Sequence, residues 1–179
     1  DDMLAAAATL RPHGIHATFT RLGENVSDWP EAEYVTAHYL GAIDRIKAAG
    51  IICEPSVKPT QLGLDLDKER CFGNLCALAA RAKSSGNYLW IDMEQSSYVD
   101  VTLELAKRLR AQFDNVGVCL QAYLYRTMND LKPLRAQGIG VRLVKGAYKE
   151  PSSVAMPKKA DVDENFFRLA VAMLEPSGW

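Results

Sequence analysis

Three observations predict an α/β fold with parallel strands. First, short apolar runs alternate with segments of helical periodicity, five times over, in units of roughly 30 residues, the length of a strand-helix-strand repeat. Second, four of those runs stop abruptly at polar groups: Pro55-Ser56-Val57-Lys58, Ile91-Asp92-Met93-Glu94, Val118-Cys119-Leu120-Gln121 and Val141-Arg142-Leu143-Val144-Lys145-Gly146. The carboxyl ends of successive parallel strands are where such folds place their chemistry. One edge is therefore expected to gather Lys58, Asp92, Gln121, Arg142 and Lys145. Third, no Gly-x-Gly-x-x-Gly follows any strand, and Gly138-Ile139-Gly140 precedes one. That context weighs against an open nucleotide-binding sheet. Spacing alone leaves two closures, an open doubly wound sheet and a (β/α) barrel.

The elements follow in order. Leu4-Ala5-Ala6-Ala7-Ala8 reads as helix interior, and the acidic Asp1-Asp2 before it is the wrong charge for a signal peptide. The chain is thus read as beginning within a domain. Ile15 to Leu22 is a first strand, closed by Gly23. Asp28 or Ser27 caps a helix with Pro30 in its first turn. Its apolar positions are read as Tyr34, Ala37, His38, Ile43, Ile46 and Ala49, with Gly50 as its stop. Strand two is Ile51 to Lys58, followed by the loop Pro59-Thr60-Gln61-Leu62-Gly63 and a helix through Cys71 to Lys83. Strand three is Tyr88 to Met93. Ser96 or Ser97 caps a helix carrying Val101, Leu105, Leu109 and Phe113. Strand four is Val116 to Tyr123, a short helix runs from Asn129-Asp130 to Ala136, and strand five is Val141 to Lys145. Asp161 or Asp163 opens a last helix through Phe166, Leu169, Ala170 and Met173, before Pro176-Ser177-Gly178-Trp179.

Composition narrows the function. A chain of 179 residues, 48% hydrophobic, can bury a core. Its 21 Lys and Arg against 22 Asp and Glu leave a net charge of -1, with no bulk attraction to nucleic acid or an anionic membrane. No apolar run is long enough to span a bilayer. Cys53, Cys71, Cys76 and Cys119 lack metal-ligand spacing and read as reduced, packed thiols. His13, His16 and His38 share no ligand spacing either, so no metal is expected.

Each candidate residue has a functional and a plainer reading. Lys58, before Pro59, stands on extended backbone; it can form an imine, anchor an anion or be a solvated charge. Asp92 in an apolar run needs a partner, with Arg142 or Lys58 the candidates. Arg142 and Val144 share one strand face. Gln121 both donates and accepts, which suits the edge of a heteroaromatic ring. Gly146-Ala147 removes bulk beside the strand, for a flat ring, a phosphate or simply a tight turn. Tyr123, Tyr125 and Tyr148 follow strand ends and read as pocket walls. Arg21 stands where apolar residues are expected, so it pairs with Glu24 or Glu94 or marks a shifted register.

Taken together, Ser56-Val57-Lys58-Pro59-Thr60-Gln61-Leu62-Gly63, Ile91-Asp92-Met93-Glu94, Leu120-Gln121-Ala122-Tyr123-Leu124-Tyr125-Arg126-Thr127 and Arg142-Leu143-Val144-Lys145-Gly146-Ala147-Tyr148-Lys149-Glu150-Pro151 resemble proline dehydrogenase of the single-function bacterial type. Leu22-Gly23-Glu24 and Pro157-Lys158-Lys159-Ala160-Asp161 extend the resemblance over most of the chain. It implies a distorted (β/α)8 barrel of the TIM type with FAD at the carboxyl ends of the strands. It implies oxidation of L-proline to Δ1-pyrroline-5-carboxylate by hydride transfer from C5 to the flavin N5, the first step of proline catabolism. The resemblance assigns catalytic roles to Lys58, Asp92 and Arg142, and substrate contacts to Lys58, Asp92, Leu143 and Tyr148. Cofactor contacts fall on Met93, Gln121, Arg142, Val144, Lys145, Gly146 and Ala147. A quinone or other electron acceptor, with peripheral contact at the inner face of the membrane in a cytoplasmic protein, is implied as well.

The resemblance also sets expectations about extent. Residues 1–179 are read as one proline dehydrogenase-like domain of about five βα units. The later strands and the last helix, which in the family brings paired arginines onto the substrate carboxylate, are expected to be missing. Weak flavin binding and self-association follow as expectations. Two other readings stay open: a lyase or aldolase with Lys58 as imine nucleophile, and a non-catalytic half-barrel awaiting the missing segment.

Overall fold

A computed structural model of the chain describes residues 2–175. The chain divides into two compact units, one of Asp1–Asp92 with Arg108–Val116 and the other of Met93–Lys107 with Gly117–Trp179. The predicted stop at Pro176 to Trp179 lies outside the described residues.

The first unit begins with α1 (Asp2–Leu10), a helix where the alanine run predicted one. β1 is Ala17–Phe19 alone, much shorter than the expected Ile15 to Leu22. The residues beyond Phe19 leave the strand because their backbone goes elsewhere: Arg21 N–H donates to the Tyr39 hydroxyl at 2.8 Å. α2 (Trp29–Ala49) starts as predicted, with Asp28 accepting from the Glu31 N–H and Pro30 in the first turn; Gly50 ends it at φ 61°. β2 (Cys53–Val57), α3 (Lys68–Ser84) and β3 (Leu89–Ile91) complete the βα succession. β1 pairs with β2 and β2 with β3, all parallel. Asp67 caps α3 through the N–H groups of Glu69 and Arg70.

The apolar stripe assigned to α2 is corrected. Its buried face is Ala32, Val35, Thr36, Tyr39, Ala42, Ile43 and Ile46, whereas Tyr34, Ala37 and His38 face outward. Both stripes keep helical spacing up to Ile43 and Ile46. The structure selects the one that carries Val35 and Tyr39 inward, because Tyr39 finds hydrogen-bond partners there. Ile46 then packs with Ala7, Ile51 and Cys53, and α1 covers this cluster with Met3 and Leu4.

The segment Pro59–Leu62 is a 3-10 turn rather than open loop. Thr60 Oγ1 accepts from Asn25 N–H at 3.0 Å. Gln61 Nε2 donates to the carbonyls of Arg21 at 3.1 Å and Gly23 at 2.5 Å. Two side chains after β2 therefore set the path of the segment after β1.

In the second unit, β4 (Val116–Gln121) is buried along its whole length and runs parallel to β5 (Gly140–Val144). α4 (Val99–Arg110) ends before Phe113, three residues short of its expected extent. α5 (Thr127–Ala136) starts two residues earlier than expected, because Thr127 Oγ1 donates to the Gln121 carbonyl at 2.5 Å and turns the chain there. α6 (Lys159–Leu174) has no side-chain cap. Neither expected cap serves: Asp161 lies within the first turn, and Asp163 forms ion pairs to Lys145 at 2.6 Å and Lys159 at 2.5 Å. Arg135 of α5 donates to the carbonyls of Ala172 and Glu175, satisfying the carboxyl end of α6.

Candidate active site

In the first unit, Val57 and Ile91 are partners in the β2–β3 ladder. The next residues, Lys58 and Asp92, therefore stand side by side just past the carboxyl ends of adjacent parallel strands. Asp92 was expected inside its strand; β3 stops at Ile91, and the Asp92 N–H continues the ladder to the Val57 carbonyl at 2.9 Å. Its carboxylate accepts from Ser56 Oγ at 2.5 Å. Lys58 Nζ lies 3.5 Å from Glu24 Oε1, and its side chain is 16% exposed. Glu24 reaches it from the segment that Thr60 and Gln61 hold, so the Pro-Thr-Gln-Leu-Gly string serves as the brace for this lysine.

Tyr39 ties the same network to α2. Its hydroxyl donates to the Ser56 carbonyl at 2.9 Å while accepting from Arg21 N–H. Burial first, and the nearby negative charge of Asp92 further, push the Tyr39 hydroxyl above its ordinary range, although hydrogen bonds from Thr20 and Arg21 pull the other way.

In the second unit, Cys119 partners Arg142 and Gln121 partners Val144 across the β4–β5 ladder. These four side chains share one face, as the alternation in β5 predicted. Arg142 directs Nε and Nη2 at the Cys119 sulfur, 3.0 and 2.8 Å away. Gln121 Nε2 donates to the Met93 carbonyl at 3.3 Å. Its Oε1 is buried and accepts no hydrogen bond among the described residues. An orphaned buried acceptor costs about 1–3 kcal/mol; among the described residues Gln61 Oε1, Asn87 Oδ1 and Asn115 Oδ1 share this condition.

The strand-end glycine stands against a ring of its own unit. Gly146 sits at φ +113°, and a Cβ there would collide with the ring of Tyr123. The space cleared by Gly146 is thus filled by a side chain of the same unit. Burial, and then the charge of Glu150, push the Tyr123 hydroxyl up to about 12. Glu150 itself accepts from Ser96 N–H at 2.7 Å and Ser96 Oγ at 2.6 Å, joining the segments that follow β3 and β5. Lys145 is exposed and engaged by Asp163, whose carboxyl is held below the usual range by hydrogen bonds from Lys145 and Lys159. Leu143, Val144 and Tyr148 are half-buried, Ala147 is exposed, and Met93 is buried.

Sequence reasoning missed Ser56, Tyr39, Glu24 and Cys119 as parts of these networks. Cys119 had a usable signal: it stands two residues before Gln121, hence on the same strand face. Ser56 stands likewise two before Lys58. Tyr39 had none, since its role depends on a hydroxyl meeting a distant backbone.

For the group that the resemblance implies, the residues present fit in part. Gln121 offers a fixed acceptor for a ring N–H, Arg142 a cation beside it on the same face, and Met93 the carbonyl that orients the amide. Gly146 does not open a cradle, and Lys145 is turned to α6.

Comparison with known proteins identifies the family. The sequence model of the family described as proline dehydrogenase matches residues 3–178. Proline dehydrogenase 1 of Bacillus subtilis subsp. natto is 38% identical over 157 residues, 88% of this chain and 52% of that protein. Proline dehydrogenase of Deinococcus radiodurans is 34% identical across 100% of this chain and 59% of its own length. The chain therefore spans about half the length of the curated relatives it matches. Among solved structures, proline utilization A from Bdellovibrio bacteriovorus superposes with a TM-score of 0.84 at 24% identity, covering 96% of this chain and 23% of that one. The corresponding protein of Bradyrhizobium japonicum gives 0.78 over 89% of this chain and 20% of its own. The likeness confirms the fold class, α/β with parallel strands and five βα units, of the TIM-barrel type. With a family model matched almost end to end and relatives above 30% identity, this chain belongs to the proline dehydrogenase family.

Proposed function

We propose that the chain carries residues for the oxidation of L-proline to Δ1-pyrroline-5-carboxylate with FAD, with 1–179 acting as one proline dehydrogenase-like domain. The relatives' names and the family match support the substrate. The observation that carries the cofactor reading is the buried, unpartnered Oε1 of Gln121, fixed through Nε2 on the Met93 carbonyl.

When bound, FAD would accept the hydride from proline C5. Arg142 would hold a positive charge where negative charge collects, the kind of preorganised electrostatic support that dominates many enzymes. Gln121 would hold the ring edge in register. Val144, Lys145, Gly146 and Ala147 would run beside the cofactor, with Leu143 and Tyr148 as walls. Lys58 and Asp92 would position the substrate. Lys58 is already used as a charge, paired with Glu24. That use suits an anion anchor and gives no support to an imine nucleophile.

A quinone acceptor reached at the inner face of the membrane, in a cytoplasmic protein, completes the proposal. No helix among the described residues is long and apolar enough to cross a membrane. A complementing segment, drawn from the part of the relatives that this chain does not match, is the partner we propose for turnover.

The test is an absorbance titration with FAD, followed by proline under anaerobic conditions, with and without the unmatched segment of the Deinococcus radiodurans relative. Flavin bound by the chain and bleached by proline in the complemented sample is the expected result. Flavin that binds equally well to a Gln121→Leu, Arg142→Ala double variant would refute the assignment of these residues.

A further inference from the structure

Arg21, the residue that broke the apolar pattern of the first strand, does not pair with Glu24, which reaches Lys58 instead. It borders a cleft of about 180 Å³ in the first unit, together with Thr20, His38 and Arg45 over a floor of Phe19 and Ala42. Met3 completes the lining, and among the described residues no carboxylate lines the cleft. Asp44, the neighbour of Arg45 in sequence, turns to Arg81 at 2.5 Å. Arg21 lays its guanidinium over the Tyr34 ring at 5.0 Å. Among the described residues neither Arg21 nor Arg45 forms an ion pair.

Like charges held close together disfavour a further positive charge between them. His38 is held below its ordinary range by burial first, then by the charges of Arg21 and Arg45. A concave, partly apolar wall concentrates that positive potential. The backbone behind it is firm: Arg21 N–H is held by Tyr39, and the Arg21 carbonyl by Gln61. The volume is below the roughly 300–1,000 Å³ of drug-sized ligand pockets, so the occupant is small.

We propose that this cleft binds a small oxyanion, carboxylate or phosphate, with Arg21 and Arg45 as charge partners, His38 and Thr20 as hydrogen-bonding partners, and Phe19 and Ala42 accommodating a short apolar arm. The site is independent of proline oxidation and lies on groups to which that proposal gives no role.

The imidazole resonances of His38 report occupancy, with His13 and His16 outside the cleft as internal references. The whole chain would be titrated with inorganic phosphate, acetate and butyrate at constant ionic strength set by chloride. A bound anion favours the imidazolium, so the His38 pKa is expected to rise; the charged and titratable groups around it are Arg21, Arg45, Tyr34 and Tyr39. Saturable movement of His38 alone is expected, and Arg45→Gln and Arg21→Gln are each expected to weaken binding about threefold to tenfold. Tighter binding of butyrate than of acetate and phosphate identifies the carboxylate source; tighter binding of phosphate identifies the phosphate source. Either result supports the site. Unsaturable shifts shared by His13, His16 and His38, or saturation unchanged in the folded Arg45→Gln variant, would overturn it.

Discussion

Tyr123 and Gly146 form a fitted pair in which each residue explains the other. The ring occupies the space where a Cβ at residue 146 would stand, and the backbone there has φ +113°. Gly146→Ala is thus expected to cost about 2 kcal/mol or more, from overpacking and left-handed strain together. Gly86→Ala, at φ +71° with open space around it, is expected to cost only about 1 kcal/mol. Urea denaturation of the two variants checks the difference. The Tyr123 hydroxyl also sets a pH limit. Pushed up to about 12, it lies above the ordinary tyrosine value of about 10, so the folded state favours the protonated phenol. That contribution is complete below pH 10 and is lost as pH rises toward about 12. Alkaline unfolding should accordingly be less steep over that interval in Tyr123→Phe, followed by circular dichroism.

At the scale of elements, helical spacing in α2 was legible but its phase was not. Tyr34, Ala37 and His38 fit the period as well as Val35, Tyr39 and Ala42 do, and only the partners of Tyr39 separate the two. Tyr39→Phe removes the acceptor of Arg21 N–H and the donor to the Ser56 carbonyl, and is expected to cost about 1–3 kcal/mol as one or both groups lose a partner. Thermal melting provides the measurement. α6 offers a separate case, since its last carbonyls depend on one guanidinium from α5. Arg135→Ala should speed hydrogen exchange in the last turn of α6 and leave α3 unchanged. Uniform protection across both helices would contradict the capping role.

At the scale of the molecule, near-zero charge and exposed apolar groups act in the same direction. A net charge of -1 gives little mutual repulsion between copies. Phe167 is 70% exposed and Leu174 85%, both on α6, with Val171 exposed between them. Self-association that rises with concentration is expected. Phe167→Glu with Leu174→Glu should suppress it in sedimentation velocity, since both changes add charge to the same helix.

The order of the elements, their parallel class, an α2 cap at Ser27 or Asp28, the positions of Lys58, Asp92 and Gln121 at the ends of their strands and the shared face of Arg142 and Val144 were legible from residue order. Periodicity, capping chemistry and strand termini are local properties, set within a few residues. Folding added contacts that residue order did not state: Glu24 at Lys58, Ser56 at Asp92, Cys119 at Arg142, Tyr123 at Gly146 and Tyr34 at Arg21. Each of these pairings joins segments that only folding brings within hydrogen-bond or van der Waals reach. A one-dimensional pattern states which face a side chain takes but not which group stands opposite it, and the opposite group sets its charge, its hydrogen bonds and its chemistry.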